Sequence, residues 1–151
     1  MHQLFEQQVE RTPDVIAASC GGELISYRRL NERANRWAHA LREKGVEADF
    51  VVAILAPRNI DFLSAILAIF KAGGAYLPID PKTPAARIQS ILRQSQTKLV
   101  ISCATLQPLL DATLETLLVE ERPNRLMIEE LQRVRASASN LPVHCSPNHL
   151  A

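Results

Sequence analysis

The side chains best suited to binding a metal ion lie near the C-terminal end of this sequence. His144, Cys145 and His149 are the only cluster of candidate metal ligands, and their spacing resembles part of a zinc site. A structural zinc ion takes four ligands, and no further cysteine or histidine lies nearby in the sequence. The surrounding residues are typical of turns, so a chance grouping is the favoured interpretation and a zinc site is the alternative.

Nucleophilic and phosphate-binding chemistry leave equally weak signals. Ser26, Ser64 and Ser102 lack the GxSxG context that presents a catalytic serine. Neither GxxxxGKS/T nor GxGxxG occurs in the chain. Gly73-Gly74 lies between a predicted helix and a predicted strand, which is the reverse of a phosphate-binding turn. The favoured interpretation of this pair is a helix C-cap with close backbone packing.

Charged side chains offer one fixed carboxylate and one run of arginines. Pro78 and Pro81 hold Asp80 rigidly at the end of a predicted strand. An aspartate in such a place more often hydrogen-bonds within a turn than acts in catalysis, so a turn role is favoured. Arginines lie along one predicted helix at positions 28, 29, 33 and 36. Glutamates interrupt this run, which predicts a solvated helix face.

Composition argues against several classes of partner. The 151 residues contain 17 Lys and Arg against 16 Asp and Glu, which removes the electrostatic argument for nucleic acid or an acidic membrane. Three dispersed cysteines without CxxC spacing favour reduced thiols in a cytoplasmic protein. The most apolar stretch, residues 60–70, is shorter than the roughly 20 apolar residues of a membrane span.

Hydrophobic periodicity predicts an α/β fold. A Gly-Gly pair between two short apolar runs predicts a hairpin over residues 15–26, and a long helix follows with Ser26 as its N-cap. Buried strands are predicted at 50–55, 75–77 and 98–102, helices at 60–72 and 84–95, and a weaker strand and helix at 116–119 and 127–134. Alternation of this kind predicts a largely parallel sheet flanked by helices.

Two segments resemble core motifs of a known enzyme family. Residues 70–81, FKAGGAYLPIDP, closely resemble the second core motif of amino-acid adenylation domains in nonribosomal peptide synthetases, L-K-A-G-x-A-Y-x-P-x-D. Residues 25–31, ISYRRLN, resemble the first core motif, L-S/T-Y-x-E-L-N, with Arg29 in place of the usual acidic residue. Residues 4–14 are similar to the start of these domains, so the resemblance covers residues 4–102 and continues in outline to 149.

The resemblance implies an activity for a complete adenylation domain. This adenylate-forming family uses ATP and Mg²⁺ to convert an amino acid into an aminoacyl-adenylate. It then passes the acyl group to the phosphopantetheine thiol of a carrier protein. The family's catalytic motifs follow the matched region, and Leu150-Ala151 resemble the start of the segment that leads to its phosphate loop. We therefore expect residues 1–151 to be the N-terminal part of such a domain, without catalytic, cofactor-binding or metal-binding residues and inactive alone.

The motif residues are mostly architectural in this family. The resemblance therefore implies structural roles for Tyr27, Leu30, Lys71, Gly73, Gly74, Tyr76, Pro78 and Asp80. Residue types agree with this, because glycines suit close packing, prolines suit a rigid turn, and an aromatic and a leucine three positions apart suit a buried helix face.

Two partners are implied by the resemblance. One is the remainder of the adenylation domain, and the other is an MbtH-like protein, which docks near a Pro-Ala pair just after the second motif. Pro84-Ala85 stands at that position. The alternative is purely local, with Thr83 as a helix cap, Pro84 in the first turn and Ala85 as a helix former. A stand-alone module that binds one of these partners is the alternative to an enzyme fragment.

Overall fold

The computed structural model describes residues 2–20 and 22–133, beginning with a helix and a hairpin. Helix α1 (His2–Arg11) leads into the antiparallel pair β1 (Ile16–Cys20) and β2 (Glu23–Ser26). The later elements are α2 (Tyr27–Glu43), β3 (Val51–Leu55), α3 (Ile60–Ala72), β4 (Ala75–Ile79), α4 (Ala85–Ser95), β5 (Leu99–Ser102), α5 (Gln107–Glu115), β6 (Asn124–Met127) and α6 (Ile128–Gln132). No helix in these ranges is both long and apolar enough to cross a lipid bilayer.

The main sheet is parallel throughout, as the alternation of strands and helices predicted. Its four strands lie in the order β4-β3-β5-β6. The chain runs from β3 outward to β4 and then crosses back to β5, so the crossover helices α3 and α4 cover opposite faces. One buried cluster contains side chains of α2, α3 and α6, and a second contains side chains of α4 and α5. The α/β class and the largely parallel sheet are therefore confirmed.

Helix α2 is bounded by the residues that its sequence predicts. The Ser26 Oγ accepts a hydrogen bond from the Arg29 amide at 3.3 Å, which satisfies one of the unpaired donors of the first turn. Gly45 lies just beyond the helix with a φ of +94°, a conformation that favours glycine. Leu30 is buried as predicted, whereas Tyr27 is only partly buried because it lies at the first position of the helix.

Strand β4 differs from the predicted buried strand. It is the edge of the sheet, with β3 as its one neighbour among the described residues, and its exposure alternates along the strand. Tyr76 is 37% exposed and Pro78 is also exposed, while Ile79 is buried. The short apolar run at 75–77 predicted burial on both faces, but an edge strand without a helix over its outer side leaves alternate side chains in water.

Two boundaries in the second half of the sheet were predicted wrongly. The residues 116–119 form no strand, because α5 ends at Glu115 and a short 3₁₀ turn follows at Val119–Glu121. Leu117 is buried against the α4–α5 side of the sheet, so its apolar character reflects packing and not a strand. The strand is instead Asn124–Met127. Its first two residues are polar and exposed, so the sequence lacks the apolar run that identifies the other strands. Its parallel pairing with β5 supplies the stability that its composition lacks.

The start of α4 also differs from the prediction. Pro84 is the N-cap and not a first-turn residue, and no side chain caps this helix. The Thr83 amide instead donates to the Asp80 carbonyl at 3.0 Å, which places Thr83 in the preceding turn. The Pro84 carbonyl accepts the amides of Arg87 and Ile88, so the helix begins at Ala85 through backbone bonds alone.

Candidate functional site

The two motif segments are joined by the N-terminal helix. Adjacent residues of α1 contact one motif each, because Phe5 packs on Tyr27 and Glu6 pairs with Lys71. The Phe5 and Tyr27 ring centroids lie 5.8 Å apart with the planes tilted by 41°, within the range of favourable aromatic pairs. Helix α1 thus holds the start of α2 and the end of α3 together.

Lys71 is a buried cation at the end of α3. Its side chain is 0% exposed, and the ammonium Nζ donates to a carboxylate oxygen of Glu6, whose side chain is 17% exposed. The Phe5 ring centroid lies 6.0 Å from the same nitrogen. On the backbone, the Arg42 guanidinium donates to the Lys71 carbonyl at 3.4 Å. A lysine almost never reaches full burial unless it is paired, and Glu6 supplies that pairing.

Burial also changes the titration of this lysine. Removal of the ammonium from water lowers the pKa of Lys71 below its ordinary value of 10.5. The hydrogen bond that Lys71 donates to Glu6, and the negative charge of that carboxylate, act in the opposite direction and offset part of that effect. A depressed lysine pKa can mark a catalytic amine, but this amine faces a neighbouring helix of its own chain and no open cavity. Its geometry fits a structural ion pair.

Gly73 and Gly74 end α3 and let the chain enter β4. Gly73 has a φ of 93°, and its amide donates to the Phe70 carbonyl at 3.0 Å as a left-handed C-cap. Gly74 is needed for space: a Cβ atom there would lie 2.8 Å from the Val46 Cγ1 and 3.0 Å from the Phe50 carbonyl oxygen. Both glycines are buried, and both act on the backbone and not on a ligand.

The remaining residues of the second motif form a packed edge and a turn. Phe70 and Tyr76 stack edge-to-face at 5.2 Å between ring centroids. The exposed Asp80 carboxylate accepts the Lys82 amide at 2.9 Å, an arrangement that fixes the turn before α4. Pro84 is exposed and Ala85 partly buried beyond that turn, so this corner faces solvent.

A ligand in an open α/β sheet binds at the carboxyl ends of the strands, where the connections diverge. Here that point lies between β3 and β5. The buried Ser102 hydroxyl spans it and donates to the Leu55 carbonyl at 2.8 Å. Near the same edge the free thiol of Cys103 lies 3.1 Å from the Thr105 hydroxyl. These polar groups thus lie within hydrogen-bonding distance of other groups of the chain.

The other predicted sites are not assembled in the part of the chain that is described. Ser64 is buried and donates to the Ile60 carbonyl at 2.8 Å, and Ser26 acts as a helix cap, so neither presents a nucleophile. Within residues 2–20 and 22–133 no three His, Cys, Asp or Glu side chains are placed to hold a metal ion. The sequence cluster of His144, Cys145 and His149 lies outside the described residues.

The pairing of Glu6 with Lys71 is the functional-site feature that sequence reasoning missed. The two residues are 65 positions apart, and neither belongs to a charged pattern that would reveal the partner. One signal was available: Lys71 follows the wholly apolar run 65–70, and a lysine requires a counter-charge once such a stretch is buried. Lys71 belongs to the second motif and Glu6 to α1, so the pair joins these two segments.

A known protein family matches this chain. A family model described as "AMP-binding enzyme" matches residues 5–151, nearly the whole chain. The chain belongs to the AMP-binding enzyme family. This match confirms the resemblance seen in residues 25–31 and 70–81.

The curated relatives of this AMP-binding chain are large peptide synthetases. It is 44% identical over 151 residues to Tyrocidine synthase 3 of Brevibacillus parabrevis, covering 100% of this chain and 2% of that protein. It is 49% identical over 102 residues to Tyrocidine synthase 1 of the same organism, covering 68% of this chain and 9% of the relative. The chain thus spans a small fraction of the relatives that it matches.

Solved structures agree with this AMP-binding fold. The crystal structure of the nonribosomal peptide synthetase FmoA3 (S1046A) in its α-methyl-L-serine-AMP bound form has a TM-score of 0.80 at 28% identity. That match covers 93% of this chain and 15% of the solved chain. The N-terminal domain of FACL13 from Mycobacterium tuberculosis has a TM-score of 0.85 at 23% identity, covering 97% and 39%, and shares the fold.

Proposed function

We propose that this chain is the N-terminal part of an amino-acid adenylation domain of a nonribosomal peptide synthetase. The observation that carries the proposal is the 44% identity to Tyrocidine synthase 3 along all 151 residues. In the complete domain the reaction joins an amino acid to ATP with release of pyrophosphate and then transfers the acyl group to a carrier-protein thiol. ATP and Mg²⁺ are the cofactors of that complete domain, and one related solved structure is an AMPPNP-bound form.

The role of these residues within that domain is architectural. The contacts of three motif residues support this role. Lys71 forms an ion pair, Gly73 forms the C-cap of α3, and Asp80 accepts a hydrogen bond within a turn. Residues 1–151 therefore precede the phosphate-binding loop in this proposal and do not activate amino acids alone. The 151-residue chain should show no amino-acid-dependent exchange of pyrophosphate into ATP, and clear exchange would overturn this part of the proposal.

A chimaera tests the positive half of the proposal. The stretch of Tyrocidine synthase 1 that matches this chain at 49% identity is replaced by the residues of this chain, with the parent enzyme as control. Amino-acid-dependent pyrophosphate exchange is expected to persist with the amino-acid preference of the parent. A soluble, folded chimaera without exchange would contradict the proposal.

The remainder of the adenylation domain is the first proposed partner, and an MbtH-like protein is the second. The exposed corner formed by Pro84 and Ala85 supports the second, because a docking surface must be accessible. In a co-purification experiment Ala85→Arg should abolish capture of an MbtH-like protein, while Ala112→Arg on the exposed side of α5 should not. Equal capture by both variants would remove Pro84-Ala85 from consideration. We further propose a cytoplasmic location, where a free thiol such as Cys103 stays reduced.

A further inference from the structure

A groove lined by arginines lies between α2 and α6. Its volume is about 360 Å³, and its floor is formed by two buried apolar side chains, Trp37 and Leu131. Arg29, Arg33 and Arg36 lie along the α2 side. None of the residues in this groove takes part in the ion pair or the glycine packing of the second motif.

The charge of this groove is positive. Three guanidinium groups line it against the carboxylate of the partly buried Glu32, and the Asp61 carboxylate pairs with one of the three. Arg33 is held in place by Asp61 of α3 at 3.2 Å, and the same carboxylate accepts the side-chain amide of Gln132 in α6 at 3.3 Å. A guanidinium has five N–H donors, so Arg33 keeps donors for a ligand while Asp61 fixes its orientation.

Arg29 adds a positive charge that the first core motif does not usually carry. It stands at the position of the first core motif where the acidic residue of L-S/T-Y-x-E-L-N is usual. Exchange of a carboxylate for a guanidinium at one end of the groove changes the local charge by two units. Arg29 and Arg36 are both exposed and so remain accessible to a partner.

The shape of the groove favours an extended peptide over a small anion. Positions 29, 33 and 36 share one face of α2 and span about 10 Å along its axis, at roughly 1.5 Å per residue. Carboxylates two residues apart in an extended peptide are separated by about 7 Å, which suits a row of guanidinium groups of this length. A phosphate ion would contact one end of that row and leave the guanidinium group at the other end without contact to it.

We propose that this groove binds an acidic, extended polypeptide segment. Its carboxylates pair with Arg29, Arg33 and Arg36 along the α2 side of the groove. Guanidinium groups bind carboxylates in a bidentate manner, which provides both charge and orientation. This interaction is independent of amino-acid activation, so a binding measurement tests it separately from the proposed function.

The test is a titration of the full chain with two capped pentapeptides, Glu-Leu-Glu-Leu-Glu and Gln-Leu-Gln-Leu-Gln, in low-salt buffer. Calorimetry measures the affinity, and the fluorescence of Trp37, the single tryptophan of the chain, reports occupation of the groove. We expect binding of the glutamate peptide alone, with a fluorescence change. Arg29→Glu, which restores the usual motif charge, should weaken it by about tenfold. Arg87→Glu makes the same change of charge at an exposed position of α4, on the opposite face of the sheet, and should leave affinity within about twofold.

Several outcomes would overturn the proposal. Equal affinity for the two peptides would show that carboxylates are not recognised, and equal losses in Arg29→Glu and Arg87→Glu would show that only net charge matters. Displacement of the peptide by an equal concentration of inorganic phosphate would assign the groove to simple anions. Absence of measurable binding would reject it outright. Because Arg29 is exposed, Arg29→Glu should keep the urea midpoint of the parent chain, which separates lost binding from lost folding.

Discussion

The ammonium group of Lys71, in the last turn of α3, is paired with the carboxylate of Glu6 in α1, 65 residues earlier in the chain. The lysine side chain is fully buried in this contact. A sequence motif near the centre of the chain is thereby fastened to the first helix. Predictions about stability can be made from this pair, from the glycines beside it and from the helix caps.

Removal of Glu6 should destabilise the chain strongly. In Glu6→Gln the buried Lys71 ammonium loses its counter-charge, and we expect the free energy of unfolding to fall by about 3 kcal/mol. Lys71→Met, which replaces the cation by an apolar side chain of similar length, should cost less. Urea unfolding followed by Trp37 fluorescence measures both, and Arg28→Gln in the exposed pair with Asp14 is the control. A cost for Glu6→Gln as small as that of the control would contradict a structural role for the pair.

The same pair predicts a dependence of stability on alkaline pH. Burial lowers the pKa of Lys71 in the folded chain below the 10.5 of an unfolded lysine. Between those two values the unfolded chain binds more protons, so the contribution of Lys71 to the free energy of unfolding rises with pH. Below the lowered pKa the cost of keeping the buried ammonium charged is fully present. It is lost as the pH passes 10.5.

Lys71→Met provides the measurement, because it removes this titration and leaves the other groups of the chain in place. The free energy of unfolding of the parent chain, relative to that of Lys71→Met, should rise between the lowered pKa of Lys71 and about 10.5. Urea titrations of both proteins at matched pH values give this difference directly. A difference that stays constant up to that pH, or that falls, would contradict the lowered pKa.

Gly74 should resist substitution for a different reason from Gly45. Gly74→Ala places a Cβ against the Val46 side chain and the Phe50 carbonyl, and we expect a loss of about 2 kcal/mol. Gly45→Ala meets no atom within 4 Å and is unfavourable only because its φ is +94°. Val46→Ala should therefore relieve part of the cost of Gly74→Ala and none of the cost of Gly22→Ala, whose surroundings are also open. Additive costs in the first pair would argue against the predicted clash.

Helix caps offer a direct contrast between Asn59 and Thr83, two residue types that commonly cap helices. The Asn59 side chain accepts the Phe62 amide at 3.0 Å, so Asn59→Ala should lower stability by about 1 kcal/mol. Thr83 makes no side-chain cap on α4, and Thr83→Ala should change stability by less than about 0.5 kcal/mol. Thermal unfolding of the two variants compares them, and equal effects would refute the assignment of Pro84 as the cap.

Local chemistry explains which parts of this fold could be predicted from sequence. Ser26 and Gly73 were recognisable because a cap depends on residue type within a few positions. The parallel sheet was predictable from the alternation of apolar runs with helices. Strand β6 was not, because an exposed edge strand needs no apolar run, and its register comes from β5.

For the candidate site too, local features could be predicted from sequence and long-range contacts could not. The motif residues were predicted as a group because their order and spacing within residues 25–31 and 70–81 are local properties. The contacts that give Lys71 and Tyr27 their partners run to α1, which no local pattern connects to either motif. The groove between α2 and α6 likewise exists only once the folded chain brings Leu131 beside Trp37.

Pro78 limits how this protein can associate with copies of itself. It lies in β4, at the edge of the sheet, beside Ile54 of β3. A proline has no backbone N–H, so Pro78 removes one hydrogen-bond donor from β4, whose outer side has no partner strand among residues 2–20 and 22–133. Edge strands are templates for aggregation, and proline is one of the residues that make intermolecular strand addition less favourable. A motif residue of β4 therefore also disfavours growth of this edge into a continuous intermolecular sheet.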